Sequence, residues 1–392
     1  MRTLLAVAAA LLALAPIEAA GAAEPYVIHG ILPLTGGASF IGVGQRDTLS
    51  ALKDSVNATG GIGGRPLEFS FHDDQTSPQL AVQLTNEVLA TKPAVIIGSA
   101  IVAMCNAMSA LIKSAAVHYC TSPGFHPKGG GFAFSAGPST HDDMEVLVRY
   151  FRLSGWTRIA AMTGTDATGQ DADEALKTIF AKEENRGLRL VELQHFAPAD
   201  VSVAAQIERI RASGAQALIA WATGSPVATI FRGAVQAGLD IPIGTSPGNQ
   251  SVAQMEQYLA FLPKRLLFPS PLYPAMKSGL GLVDARVEAE QRKMYPVLEA
   301  HGLRADNFIG TAWDPGLILV AALRKLGPDA TAEQLRAQIA GLKGFAGVDG
   351  IYDFRAYPER GLGPNDVAIV TYDAKAKGWA WISKPGGAPM GR

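Results

Sequence analysis

VIHGILPLTGGASFIGVG, running from Val27 to Gly44, is the stretch whose reading decides the fold. Val27-Ile28 and Ile31-Leu32 form a short apolar run that reads as a buried strand. The small-residue segment Thr35-Gly36-Gly37-Ala38-Ser39-Phe40 reads as a loop. A helical pattern begins after Gly44, with Leu49, Leu52 and Val56 on one face. The order is strand, loop, helix. In an open parallel sheet, ligands sit outside the carboxyl ends of the strands, where such loops lie. Gly36 and Gly37 let the backbone approach a ligand, and Phe40 offers a flat apolar wall. By itself the stretch is equally compatible with a tight turn in an ordinary α/β domain.

Working outward, the same alternation continues. Leu67, Phe69 and Phe71 alternate with polar residues as in a half-buried strand. Ser77-Pro78 reads as a helix start, ahead of Leu80, Leu84 and Val88. Ala94–Ile97 and Val117–Thr121 are further strands, separated by a helix carrying Met104, Met108 and Leu111. Thr140 is read as the cap of a helix with Asp142 and Asp143 in its first turn, which suits the helix dipole. A second series then follows, with strands at Ile159–Met162, Leu188–Leu193, Ala217–Ala222 and Ile241–Gly244 and helices between them. Leu266–Phe268 reads as a crossing strand, and the tail as a hairpin of Val367–Tyr372 with Trp379–Ser383. Two βα series of similar size predict an α/β protein with two doubly wound parallel-sheet lobes.

Length agrees. Setting aside an N-terminal leader, the 392 residues leave roughly 370, more than one core usually holds. Met1–Ala23 reads as that leader: Arg2, an apolar run from Leu4 to Leu14, and small residues at Ala20–Ala23. The apolar run is shorter than the roughly 20 residues of a spanning helix, so the expectation is a signal peptide and a soluble protein in a bacterial periplasm. The net charge of −1, without a basic run, argues against nucleic-acid binding. Two cysteines in an exported chain suggest a disulfide. Cys105 near a helix start and Cys120 near the next strand end lie at one sheet edge and are expected to pair, the alternative being two buried thiols.

Catalytic motifs are lacking. Asp73-Asp74 has no third oxygen ligand nearby and reads as a loop pair. Gly42-Val43-Gly44 lacks the spacing of a dinucleotide loop, and no GxSxG or HExxH is found. His29, His118 and His195 read as structural. Neither an enzyme, a metal nor a cofactor is expected. The remaining signal is a set of strand-end loops rich in small, hydroxyl and aromatic residues. They carry Ser39 and Phe40, then Ser99, Ala100 and Ile101, then Ser122, Pro123, Gly124 and Phe125. In the second series they carry Asp166 and Thr168, then Trp221 and Thr223, then Ser246, Pro247, Gly248 and Asn249. Two doubly wound lobes would turn these loops toward each other across a cleft, where free N–H groups at helix starts hold an anion.

Leu34-Thr35-Gly36, the run Asn57-Ala58-Thr59-Gly60-Gly61-Ile62-Gly63-Gly64-Arg65-Pro66-Leu67, His72-Asp73-Asp74-Gln75 with Ser77-Pro78, and Val95–Ser99 carry a resemblance, together with Trp313-Asp314 and Phe345–Gly350. The chain resembles the type I substrate-binding proteins of ABC transporters, in the branched-chain amino acid binding group. The resemblance implies two lobes joined by three crossovers and closing on one ligand, a membrane permease of the ABC class as partner, and a monomer. Lobe 1 is expected at 24–140 plus 268–345, and lobe 2 at 141–267 plus 346–392. It also implies that Ser99, Ala100 and Ile101, with Thr121 and Ser122, hold a ligand carboxylate. Amino acid binders of this kind need an acid for the ammonium, and the loop Ser246–Asn249 has none. The expected ligand is therefore a hydrophobic or aromatic monocarboxylate. A branched-chain or other hydrophobic amino acid is the alternative, with Asp166 as the acid that would serve it. A ligand sensor of the same fold is a further alternative, for which a fused spanning segment would be expected.

Overall fold

The computed structural model describes residues 23–276 and 281–390. Apart from Ala23, the leader read at Met1–Ala23 lies outside the described residues. The first lobe is a five-stranded sheet in the order β2-β1-β3-β4-β5. Its strands are β1 (Tyr26–Leu32), β2 (Leu67–Asp73), β3 (Val95–Gly98), β4 (Val117–Cys120) and β5 (Ala133–Ser135). All of its pairings are parallel. Helices α1 (Ser39–Asn57), α2 (Pro78–Leu89) and α3 (Val102–Ile112) connect the strands.

The chain then crosses to a seven-stranded sheet, in the order β14-β13-β10-β9-β8-β6-β7. This sheet holds β6 (Arg158–Gly164), β7 (Arg189–Phe196), β8 (Ala217–Trp221), β9 (Ile243–Thr245), β10 (Leu266–Ser270), β13 (Ala368–Asp373) and β14 (Gly378–Trp381). Helices α4 (Thr140–Leu153), α5 (Ala167–Phe180), α6 (Ala204–Ala212), α7 (Val227–Gln236) and α8 (Val252–Tyr258) belong with it. Its strands are parallel up to β10; the C-terminal hairpin β13–β14 is antiparallel and pairs with β10. Helices α9 (Ala285–Ala300), α10 (Asn307–Leu326) and α11 (Ala332–Ala340) and the hairpin β11 (Lys343–Ala346) with β12 (Ile351–Asp353) return to the first lobe. There Tyr273, Met294, Trp313, Leu319, Val348, Tyr352 and Leu362 share one core with Ile28, Leu49 and Tyr119. No described helix is long and apolar enough to cross a membrane.

The expected boundaries shift accordingly. The limit at 267/268 falls inside β10, whose five residues all belong to the second sheet, because Leu267–Ser270 pair with β13. The limit at 345/346 falls inside β11, and the first core extends to Leu362. The helix after β1 also starts earlier than expected. It begins at Ser39, so Phe40 is helical, and Gly42 and Gly44 lie within it. These glycines serve close packing. A Cβ on Gly42 would sit 2.1 Å from the Pro33 carbonyl oxygen, and one on Gly44 would sit 2.0 Å from the Phe308 ring. The cap of α4 is Ser139 rather than Thr140, in a reciprocal pair with Asp142.

Cys105 and Cys120 form a disulfide, as expected, with 15 residues of sequence separation. A loop of that length is worth about 3 kcal/mol on the chain-entropy account. Replacing both cysteines by alanine is expected to lower unfolding free energy by about that amount, read from urea melts. An unchanged midpoint would show that the bridge carries no stability.

Candidate functional site

Both sheets reverse their strand order beside their first strand, at β1/β3 and at β6/β8. Those switch points are where open α/β sheets leave a crevice outside the strand ends. In this molecule the two crevices face each other. The gap between them is lined on one side by Ile41 and Gln45 of α1, Ala100–Val102, Thr121–Gly124, and Asn307 and Thr311 of α10. On the other side stand Thr140 and Asp143 of α4, Thr168, Trp221, Thr223 and Ser246–Gly248. The free space is about 40 Å³, room for little more than a water molecule, so any larger ligand requires the walls to part.

The walls are in contact. The Ser225 N–H donates to the Gly37 carbonyl at 3.1 Å, across the lobes. Gly224, at φ +82°, faces the same carbonyl, where a Cβ would come within 2.5 Å. On the far side the Val252 N–H and Trp379 Nε1 both donate to the buried Asp306 carboxyl at 3.0 Å. Burial pushes the Asp306 pKa up to about 7, against those hydrogen bonds.

The polar lining is partly tied up. The Thr121 hydroxyl lies 2.9 Å from Gln45 Oε1 and 3.0 Å from the Ser99 carbonyl, and Gln45 Nε2 donates to Thr311 at 3.2 Å. The Thr223 and Ser246 hydroxyls meet at 3.1 Å. Two features are not tied up. The N-cap of α3 is Ile101, which offers no side-chain acceptor, so the first-turn N–H groups of that helix are uncapped. Asp143, 5% exposed, has no hydrogen-bond partner for its carboxyl among the described residues. Burial, and after it the Asp142 charge, push the Asp143 pKa well above the usual carboxylate range, with Arg360 acting the other way.

Ten of the sixteen expected contact residues line this gap: Ala100, Ile101, Thr121, Ser122, Pro123, Gly124, Thr168, Trp221, Thr223 and Pro247. Six do not. Ser39 and Phe40 line a separate groove with Ser251, Arg304 and Phe308, because α1 starts at Ser39 and turns them out of the cleft. The Ser99 hydroxyl is taken by Asp74 at 2.5 Å. Phe125 is buried against His118, with ring centroids 5.7 Å apart. Asp166 is an exposed cap that accepts the Gly169 N–H at 3.0 Å. Asn249 clamps two loops together, bonding Ala222 O, Thr245 Oγ1 and Gly224 N. Asp73 likewise organises a turn, accepting from Leu34, Thr35 and Gln75.

The loop Ser246–Asn249 brings no acid to the gap, but Asp143 of α4, taken from the sequence as serving only the helix dipole, lines it. Its signal was in the sequence. Thr140, Asp143 and Leu147 fall at helical spacing on the buried side of α4, so Asp143 continues an apolar stripe.

The sequence profile of the family described as periplasmic binding protein matches residues 25–378. No curated protein matches the chain by sequence. Among solved structures, an extracellular ligand-binding receptor from Rhodopseudomonas palustris superposes with a TM-score of 0.80 at 20% identity, over 92% of this chain and 100% of that one. The branched-chain amino acid transporter substrate-binding protein LivJ of Streptococcus pneumoniae, in complex with isoleucine, gives 0.76 at 17% identity, over 92% and 99%. The leucine-binding protein LivK of Thermotoga maritima gives 0.74 at 16% identity, over 91% and 97%. At these identities the structures show a common fold.

Proposed function

The chain belongs to the periplasmic binding protein family, whose members bind solutes and are not enzymes, and from that premise we propose that it captures a small apolar α-amino acid between its lobes. The observation that carries this reading is Asp143, a buried carboxyl inside the gap with no hydrogen-bond partner for it among the described residues. A ligand ammonium supplies the missing partner. The ligand carboxylate is taken by the uncapped first turn of α3, helped by the hydroxyl of Ser122. Ile41, Ile101, Trp221 and Pro247 form the apolar wall for the side chain. The isoleucine complex of the LivJ structure is consistent with a ligand of this class. The protein then serves an ABC permease of the inner membrane as a monomer in the periplasm, taken there by the segment Met1–Ala23.

A thermal-shift screen tests the reading. Leucine, isoleucine and valine are each expected to raise the melting temperature, since a ligand at a hundred times its Kd adds about 2.7 kcal/mol. Their analogues lacking the amine are expected to do little. Stabilisation by benzoate-like acids with none by the amino acids would overturn the amine assignment and restore the aromatic monocarboxylate as ligand.

A further inference from the structure

At the edge of the cleft, apart from the gap just described, three side chains from three elements converge. His126 follows β4 in the first lobe, His141 stands in the first turn of α4, and Asp171 on α5. His126 Nε2 is 2.5 Å from Asp171 Oδ1, and His141 Nε2 is 3.6 Å from the same oxygen. One donor atom from each residue lies within 4.8 Å of the other two. The imidazoles meet edge to face, with centroids 5.3 Å apart.

Asp171 is the buried member, with its side chain 10% exposed. Its second oxygen, Oδ2, is buried and meets no donor at hydrogen-bond distance among the described residues, although the Thr140 hydroxyl stands nearby. It faces Gly124 of the opposite lobe, where a Cβ would come within 2.9 Å of it. Arg360 is within electrostatic reach, yet Asp142 and Asp143 share that reach with Asp171. One guanidinium thus stands among three carboxyl groups.

Two imidazoles and one carboxylate form the donor set of three-ligand zinc sites, which leave a fourth position for water. Here that position has access to solvent, since the His126 side chain is 48% exposed. We infer that His126, His141 and Asp171 bind a divalent first-row transition-metal ion, of which zinc is the type, and that the ion ties the two lobes together at the edge of the cleft. The tie follows from chain placement: one ligand belongs to the first lobe and two to the second. The inference concerns residues outside the solute gap and is independent of the solute assigned to it.

The test uses the full mature chain, untagged and stripped with a chelator, with no solute added. Titration with Zn²⁺ in a calorimeter, and with Co²⁺ followed by its visible absorption, is expected to show one ion per chain. His126→Ala and His141→Ala are each expected to weaken binding by at least about tenfold. His126 is half exposed, so its replacement leaves the fold intact, and a melt without metal checks this. Zinc is expected to raise the melting temperature of the native chain and not that of the variants. Absence of saturable binding, or binding unchanged in both variants, would overturn the inference.

Discussion

Replacing Asp143 by asparagine is expected to weaken binding of the best-stabilising amino acid by at least a hundredfold or so. Removing one member of a buried, hydrogen-bonded ion pair costs about 3–5 kcal/mol, because the other charge is left uncompensated, and each 1.4 kcal/mol is about tenfold in affinity. Asparagine keeps the shape of the side chain, so the unliganded variant should melt no lower than the native chain. Its removal also relieves a buried group whose ionisation is already disfavoured. Titration calorimetry reads the change, and a variant that still binds within about threefold would show that the ammonium sits elsewhere.

The same residue fixes a pH dependence. In the unoccupied cleft the raised pKa keeps the Asp143 carboxyl protonated over a range above that of an ordinary aspartate. An ammonium ligand favours the ionised form, so binding lowers that pKa and releases a proton. Affinity should therefore fall as the pH drops below the raised value, and the native protein should show a buffer-dependent binding enthalpy. The asparagine variant should show neither effect.

Gly169→Ala is expected to be strongly damaging. Gly169 packs in the first turn of α5 against the end of β6. A Cβ placed on it would lie 1.7 Å from the Gly164 carbonyl oxygen and 2.7 Å from the Gly164 nitrogen. Both are backbone atoms, which no rotamer change can move aside. The strand end or the helix must shift, at a cost of about 3 kcal/mol or more in unfolding free energy. The shift would also carry Thr168 out of the gap and weaken solute binding. Gly187→Ala is the matched control. No atom lies within 4 Å of a Cβ there, and the change should stay within about 0.5 kcal/mol. Equal effects at the two positions, read from denaturant midpoints, would contradict the packing described for α5.

Much of this architecture was legible because the parallel strands announce themselves. Ala217 to Trp221 are buried on both faces and therefore read as an unbroken apolar run, and Ile28, Ile31 and Leu32 are buried around His29 and Gly30. Ser77 with Pro78 started a helix in the structure as in the sequence, with the Ser77 hydroxyl accepting the Leu80 N–H. The start of α1 was misread for a physical reason. Gly42 and Gly44 have the composition of a loop, but their role is to admit Pro33 and Phe308, contacts made across the fold that local pattern does not carry. Ser39 and Phe40 were placed in the cleft through the same error. Asp143 was read as serving the helix dipole because two adjacent acids in a first turn look alike. The structure separates them: Asp142 closes the cap, and Asp143 turns inward. The strands β5, β11 and β12 have three or four residues each and stand outside the βα alternation, β5 following β4 with no helix between and β11 with β12 forming a hairpin, so no pattern declares them.

Where the two cores draw their residues has a bearing on synthesis. The first core lacks a wall until Tyr273 to Leu362 arrive, and the second sheet lacks its last two strands, β13 beside β10 and β14 beyond it, until the hairpin of residues 368–381 is made. A nascent chain halted near residue 260 thus has neither core closed, although two thirds of the sequence has been synthesised. Completion of both lobes waits on the same late segment, and the polypeptide stays loose for nearly the whole of its translation.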